Sequence, residues 1–372
     1  MAGVISATDS ELPTRVSTAL EDTYLRNKES RCPYFVGTEP GELMMHGSTK
    51  IITWQSMSNL TPISSAASAL AEQTTNAAFL GGRTSVGLST STVTATPAKF
   101  GNFVILNEEV SKYNPLTQYD KVIQVIGINA GQSLNMLQRN EAEDNLTTVY
   151  AGGAASDGAV TSAITLASIK YVLNQLDRNS ALTFTPLSPM SDEGSPALGG
   201  QGYSGNGLMP AYIGICHPDV AVDIAGLNGF IEAPRYAGRV SLYMSEFGAL
   251  TVAGRTVRFL CTEDASIDTD SGAAASSFGL NGTSAIDLYS TIIYGMEAIG
   301  SAGFGTRYDD GSYMAGDYPA PAEVIIKGFG SGGTSDPYNE IQTIAWKCWH
   351  DAAILNSDWG FSIRSGATDL SS

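Results

Sequence analysis

Charge is scarce in this chain of 372 residues: Asp, Glu, Lys and Arg together make up 15% of it, against about a quarter in an ordinary soluble domain. That scarcity argues against long solvent-exposed helices, coiled coils and disordered acidic tails. Ser, Thr, Asn and Gly must then clothe much of the surface. Bases are scarcer still, with 20 Lys and Arg against 37 Asp and Glu, a net charge of -17. A protein that grips nucleic acid by its phosphates needs the opposite balance, although an acidic one can lie beside DNA without binding it. The four cysteines, Cys32, Cys216, Cys261 and Cys348, are far apart. They form no CxxC and have no His at ligand spacing, so neither a zinc site nor a disulfide framework is expected. Mostly buried thiols in a reducing compartment are the expectation instead. No run of about 18 apolar residues exists to cross a membrane as a helix. Met1 to Glu11 has no basic flank or apolar stretch of the kind a secretory leader carries. No internal repeat is visible.

What is present is a large apolar fraction, 43%, and 40 glycines without a collagen-like period. The length allows one large domain or two to three smaller ones, with a sizeable core. Residues 1–47 read as an arm. Leu12, Val16, Leu20 and Tyr24 recur at helical spacing over Ser10 to Asn27, then Pro33, Gly37, Pro40 and Gly41 break the pattern. Residues 48–108 read as a long two-stranded excursion. Lys50 to Met57 and the Thr-rich Ser89 to Lys99 are strand-like, with a Ser/Ala/Thr/Gly stretch between, and a more apolar strand follows over Phe100 to Asn107. The Thr-rich strand has too few large apolar residues for a core of its own, so the hairpin is expected to lie on another surface.

Residues 117–150 carry the strongest helix signal, with Val122, Ile126, Ala130, Leu134 and Leu137 on one face. Asn114-Pro115 marks its start and Gly152-Gly153 its end, a span of roughly 50 Å at about 1.5 Å per residue. Gly127 and Gly131 lie four apart, where another element could approach closely. Residues 153–317 alternate short runs: a helix over Leu166 to Asn179, a buried strand over Ala211 to Cys216, and a helix started by His217-Pro218-Asp219. Two strands around a Gly turn follow over Gly248 to Leu260, then a strand over Ile292 to Ile299. Ala181 to Asn206 and Thr262 to Thr283 read as insertions. This segment holds 17 acids and 7 bases, so -10 of the net charge lies in it. Residues 318–372 hold Glu323 to Lys327, a Gly-rich turn, and two long strand candidates, Glu340 to Trp349 and Ala352 to Ile363, the second broken by Asn356-Ser357-Asp358.

No constellation for catalysis assembles. Gly328-Phe-Gly-Ser-Gly-Gly333 matches the dinucleotide pattern GxGxxG, but a β-like run follows it rather than a helix, so a loop is the better reading. His217 and Asp219 are close in sequence, yet no GxSxG elbow supplies a nucleophile, and a strand-to-helix turn explains the pair. His350-Asp351 reads as a turn pair. Asp309-Asp310 and Asp268 to Asp270 lack the spaced oxygens of a calcium loop. Asn59, Asn145 and Asn281 fit the glycosylation sequon, which carries no weight without a leader. Trp346, Trp349 and Trp359 lie in strand-like runs, where packing explains them better than sugar stacking. No catalytic, cofactor or metal residue is therefore assigned. The parts that remain, an arm, a polar hairpin, an overlong helix and long terminal strands, cannot be satisfied in isolation. Such parts suit a subunit that tiles with copies of itself.

Four stretches, in this order and spacing, carry a resemblance to a known family. They are Thr94 to Glu109, Gln132 to Asn145, Ile213 to Asp219 with Phe230 and Arg235-Tyr236-Ala237-Gly238, and Gly332 to Trp349 with Ala353 to Asn356 and Asp358-Trp359. The chain resembles the major capsid proteins of tailed bacteriophages, of the Hong Kong 97-type fold, and within them the branch named after coliphage N-four. Tyr338 after Asp336-Pro337, and Glu340 to Ala345 before Trp346-Lys347, depart from the pattern. The resemblance implies an α+β fold with an N-terminal arm (1–47), an extended loop (48–108), a peripheral domain with a long spine helix (109–152), an axial domain (153–317) and return strands of the peripheral domain (318–372). It implies self-assembly into hexamers and pentamers of an icosahedral virion shell around double-stranded DNA, put together in the host bacterial cytoplasm. No enzymatic activity, cofactor or membrane is implied. The expected partners are copies of the chain, a separate scaffolding protein with no large propeptide, a portal and a decoration protein. Some shells of this fold carry Lys–Asn isopeptide crosslinks. Lys50 and Lys99 lie in the hairpin region, where ordinary surface charge explains them. A bacterial or phage surface or fibre protein remains the alternative, and a carbohydrate-active enzyme with paired carboxylates a more distant one.

Overall fold

A computed structural model describes residues 32–42, 51–57, 88–108, 118–184, 210–236, 245–274, 279–303, 323–332 and 336–370. The helix read at Ser10 to Asn27 lies outside the described residues, as does most of the insertion over Ala181 to Asn206. Among the described residues, no helix is long and apolar enough to cross a membrane.

The strongest sequence signal becomes helix α1, Gln118–Asn145. Its 28 residues span about 42 Å. Ile123, Ile126, Ala130 and Leu134 fall on one buried stripe, while Val125 on the opposite side is 62% exposed. The helix ends earlier than its expected stop at Gly152. Thr147–Tyr150 is instead strand β5, because this β-branched run pairs in parallel with residues Phe361 to Arg364. The expected close approach at the glycine pair is present: Cys32 donates its Sγ–H to the Gly131 carbonyl at 3.3 Å.

Two sheets organise the body. The first has five strands. Its centre is the long strand Ile341–Ile354, which pairs antiparallel on one side with Ala98–Asn107. On the other side it pairs with Glu323–Lys327 and with Ile299–Gly303. Glu39–Glu42 extends the last of these in parallel. Numbered along the chain, β1 is Glu39–Glu42, β2 Ile52–Met57, β3 Thr90–Ala95, β4 Ala98–Asn107, β12 Ile299–Gly303, β13 Glu323–Lys327 and β14 Ile341–Ile354. One face of this sheet packs under α1 through Val324, Ile344, Trp346 and Cys348.

The second sheet has eight strands, in the order β5, β15 (Gly360–Ser365), β11 (Leu288–Tyr294), β6 (Ala211–Cys216), β9 (Arg255–Cys261), β8 (Glu246–Val252), β7 (Phe230–Glu232), with β10 (Ile267–Asp268) beside β11. Helices α2 (Leu166–Arg178) and α3 (Pro218–Ala225) cover one face through Ile169, Val172, Leu176, Val220 and Ile224. The end of α1 and Tyr34 cover the other, through Ala142 and Leu146 against Ile213, Ile215 and Ile292. With both faces covered, β6 is buried at every residue, which is why it reads as a continuous apolar run. A short helix, α4 (Ala233–Tyr236), follows β7.

Two local expectations are corrected. The run Ile292 to Ile299 is not one strand: β11 ends at Tyr294 and β12 begins at Ile299. Between them the chain turns at Gly295, where a Cβ would stand 2.6 Å from the Leu182 carbonyl, and at Glu297 with φ 62°. His350-Asp351 is not a turn. Both residues continue β14, whose partners change from β4 and β13 to β12 around them. His350 is buried beside Phe35, with ring centroids 5.5 Å apart. Asp351 accepts the Thr96 amide at 2.6 Å. Strand pairing also cuts across two of the segment boundaries read from the sequence: β5 of 109–152 joins the second sheet, β12 of 153–317 joins the first, and β15 of 318–372 joins the second.

Candidate assembly surface

The antiparallel ribbon of β2 and β3 leaves the body with burial only at its base. Ile52 opposite Ala95 is 4% and 3% exposed, and by Met57 exposure reaches 70%. Ile52, Trp54, Val93 and Ala95 face inward against Ala302 and Ala353 of the first sheet. Thr53, Gln55, Met57 and their partners Thr94, Thr92 and Thr90 form the outer face. Farther out the Ser56 and Ser91 hydroxyls, 2.7 Å apart, add to the ladder. A two-stranded ribbon with water on both sides is marginal alone.

Trp54 seats the ribbon. Its indole lies over two glycines, such that a Cβ at Gly41 would come within 2.4 Å of Cζ2 and one at Gly300 within 3.0 Å. Only a residue without a side chain lets the ring reach the sheet there.

The first sheet's second face is the other half of the surface. Register puts Phe103 opposite Ala345, Ile105 opposite Thr343, and Lys99 opposite Trp349. These residues alternate with Phe100 and Leu106, which face α1. Among the described residues no helix covers this outer face. Phe103 is 61% and Ile105 55% exposed, with Ile341 at 40% beside them. A long strand with adjacent exposed apolar residues at a sheet edge is a site for pairing with another chain.

The body that carries both halves is braced by polar side chains. Asn135 donates its amide to Asp264 Oδ2 at 2.7 Å and accepts the Tyr34 amide at 3.2 Å. Arg139 reaches the Asp264 carbonyl at 2.5 Å. Arg364 of β15 lies between Glu143 of α1, at 3.3 Å, and Asp268. In the second sheet, Arg258 clasps Glu246 through two contacts of 2.7 and 2.5 Å, with both side chains buried. The links from Asn135, Arg139 and Glu143 hold α1 against the second sheet while its other end lies on the first.

The residues weighed for chemistry resolve into structure. His217 caps α3, its Nδ1 accepting the Asp219 amide at 3.3 Å, and burial pushes its pKa down. Asp219 accepts the Tyr289 hydroxyl at 2.9 Å, and Tyr289 in turn accepts from Asn281. Burial raises the Tyr289 pKa to about 12, the opposite of what a proton-transfer group at neutral pH needs. Asp270 accepts three backbone amides, from Thr283, Ser284 and Ala285, which hold its pKa down. Asp268 pairs with Arg364, and the Asp309-Asp310 pair lies outside the described residues. The glycine-rich Gly328 to Gly332 turns between β13 and β14, and no helix follows it. Trp346 is buried and donates to Asn129 at 3.1 Å, Trp359 donates to the Asn179 carbonyl at 3.0 Å, and Trp349 is half-buried on the outer face. No group of three or more His, Cys, Asp or Glu that could hold a metal occurs among the described residues. Lys99 is exposed on β4, and Lys50 lies outside the described residues. Trp54 and the exposure of Phe103 and Ile105 went unnoticed in the sequence. The glycines that admit Trp54 come from β1 and β12, distant in sequence, so no local signal pointed to it.

No family model matches the chain, and no curated protein matches it. Solved structures do. A chain from the capsid of Ralstonia phage GP4 superposes with a TM-score of 0.57 at 12% identity, over 88% of this chain and 86% of that one. The head structure of Helicobacter pylori bacteriophage KHP40 gives 0.52 at 11% identity, over 91% and 89%. The capsid asymmetric unit of Cyanophage Pam1 gives 0.50 at 13%, over 87% and 86%. At such identities the similarity is one of fold: the chain has the α+β fold of phage capsid chains, and it spans nearly the whole of each.

Proposed function

We propose that this chain is the major capsid protein of a tailed bacteriophage, building an icosahedral shell from hexamers and pentamers around double-stranded DNA. The observation that carries the reading is a pair of surfaces, a ribbon whose described burial lies at its base and an apolar sheet face that no described helix covers, on a fold shared with phage capsid chains. Residues 48–108 then supply the extended loop, whose β2–β3 ribbon is laid across the outer face of a neighbouring copy while β4 stays in the chain's own sheet. Residues 1–47 are the N-terminal arm, 109–152 and 318–372 the peripheral domain with α1 as spine, and 153–317 most of the axial domain. A net charge of -17 suits a wall that encloses DNA without adhering to it. The N-four branch is the proposed relationship. A separate scaffolding protein, a portal and a decoration protein are the proposed partners, and the virion, assembled in the host cytoplasm, is the proposed location.

Negative-stain electron microscopy of the protein, expressed with and without its neighbouring genes, tests this. Closed particles or hexameric capsomers are expected. A monodisperse monomer or small oligomer under both conditions would overturn the reading.

A further inference from the structure

Cys216 and Cys261 end two neighbouring strands. β6 and β9 run parallel, and their register places the two cysteines directly opposite each other at the last pair of the ladder. Opposed residues of parallel strands point to the same face. The rest of the ladder agrees, since the opposed Tyr212 and Val257 share one core cluster with Cys216 and with Phe259, the partner of Gly214. The Cys216 thiol is aimed sideways at β9, with Sγ 3.6 Å from the Leu260 carbonyl, one residue before Cys261. Adjacent strands lie about 4.8 Å apart, within the roughly 4.4–6.8 Å between Cα atoms that a disulfide spans. Neither thiol is in a disulfide. They differ in access: Cys216 is fully buried, and Cys261 is partly exposed.

We propose that Cys216 and Cys261 are a closable dithiol that takes a low-molecular-weight disulfide as oxidant and forms an intrachain bridge between β6 and β9. The Cys261 thiolate attacks one sulfur of glutathione disulfide, forming a mixed disulfide and releasing one glutathione thiolate. The Cys216 sulfur then attacks Cys261 Sγ, breaking the mixed disulfide and releasing the second glutathione. The two protein thiols are oxidised by two electrons, the oxidant is reduced to two thiols, and the two protons pass from the cysteines to them. Closure occurs at the ladder's end, where the Thr262 amide donates to the Cys216 carbonyl at 3.0 Å and keeps the two strand ends in register. The next residues, Thr262 to Ala265, carry Asp264, the group that Asn135 and Arg139 of α1 hold. The bridge therefore fixes the origin of the contact between α1 and the second sheet. Burial raises the pKa of both thiols, and the Asp219 charge raises that of Cys261 further, so closure accelerates with rising pH.

The test needs no assembled particle and is independent of the shell reading. The purified full chain is held at pH 8 with excess glutathione disulfide, then unfolded and alkylated, and the adducts are counted by mass. Four adducts are expected before oxidation and two after, with one disulfide-linked peptide pair joining the Cys216 and Cys261 peptides. Cys261→Ser, whose thermal midpoint under reducing conditions should match the parent, should keep three adducts before and after. Four adducts after oxidation would overturn the proposal. So would a glutathione adduct that stays on Cys261, or loss of thiols at Cys32 or Cys348 instead.

Discussion

Replacing Phe103 and Ile105 together by Ser separates what holds this chain folded from what joins it to its neighbours. Both side chains stand on the outer face of the first sheet, at 61% and 55% exposure. Together they leave on the order of 200 Å² of mostly apolar surface in water. At about 25 cal/mol/Å², full cover by a neighbour contributes up to about 5 kcal/mol per contact. Half cover leaves about 2.5 kcal/mol, or nearly two orders of magnitude in each association constant. The cost to the isolated fold is smaller, about 1 kcal/mol per site, because neither side chain is part of the cluster under α1. If the parent assembles as proposed, sedimentation velocity across a concentration series should find it as capsomers or shells and the double variant as unassembled chain. Thermal unfolding of the unassembled chain should fall by only a few degrees. Unchanged assembly would refute the assignment of this face. A loss of folding as large as the loss of assembly would refute it differently, by placing both residues among those that hold the fold.

Three further outcomes follow from other contacts. Gly41→Val drives a side chain into Trp54 and Ile52; overpacking of about 1–3 kcal/mol should unseat the ribbon, seen as faster amide exchange over residues 52–57 and 90–95 with little change in β6 or β11. Glu246→Gln removes a charged partner of the buried Arg258, so chemical denaturation should report a loss of stability of up to about 3–5 kcal/mol, and an unchanged midpoint would contradict the buried pair. Asp270 is held below its usual pKa by three amides, so its contribution to stability is present above the ordinary aspartate value of about 3.9 and fades as pH falls through the depressed one. Asp270→Asn should therefore lower the melting temperature at pH 7 and converge with the parent in strong acid.

The parts legible in the sequence were those whose signal is local. α1 and α2 announce themselves by apolar spacing, α3 by His217-Pro218-Asp219, and β6 by an unbroken apolar run that two covered faces explain. Readings went astray where a distant partner decides. Thr147 to Tyr150 continues the helical pattern well enough, yet β15 captures it as a strand. His350 and Asp351 look like a turn because they are polar. Phe35, brought from the N-terminal side, shelters the imidazole, and Thr96 occupies the carboxylate, so the strand runs through. The candidate surface suffered most. Phe103 and Ile105 lie in a run legible only as a more apolar strand, and only the register with β14 puts them on the face that no described helix covers.

The ribbon and the outer sheet face are different patches of one chain, so the proposed contact between them is heterologous: each copy would give its ribbon to one neighbour and its sheet to another. Such contacts close into rings only when the angle between the two patches matches an integral rotation, and otherwise run on as filaments. In this chain the angle is set where the ribbon meets the sheet. Trp54 wedges it against Gly41 and Gly300, and the Thr96 amide is tied to Asp351 at 2.6 Å just before β4 begins. β3 and β4 are separated only by Thr96 and Pro97, and proline fixes φ at the second of them. The face that receives a neighbour and the ribbon that reaches one are thus joined by a two-residue corner whose backbone is pinned on both sides. Loosening that corner, by removing the Asp351 carboxylate, changes the closure angle without touching either contact patch. The expected product of Asp351→Ala is accordingly misclosed sheets or tubes rather than unassembled subunits, and electron micrographs showing only normal particles would place the control of closure elsewhere.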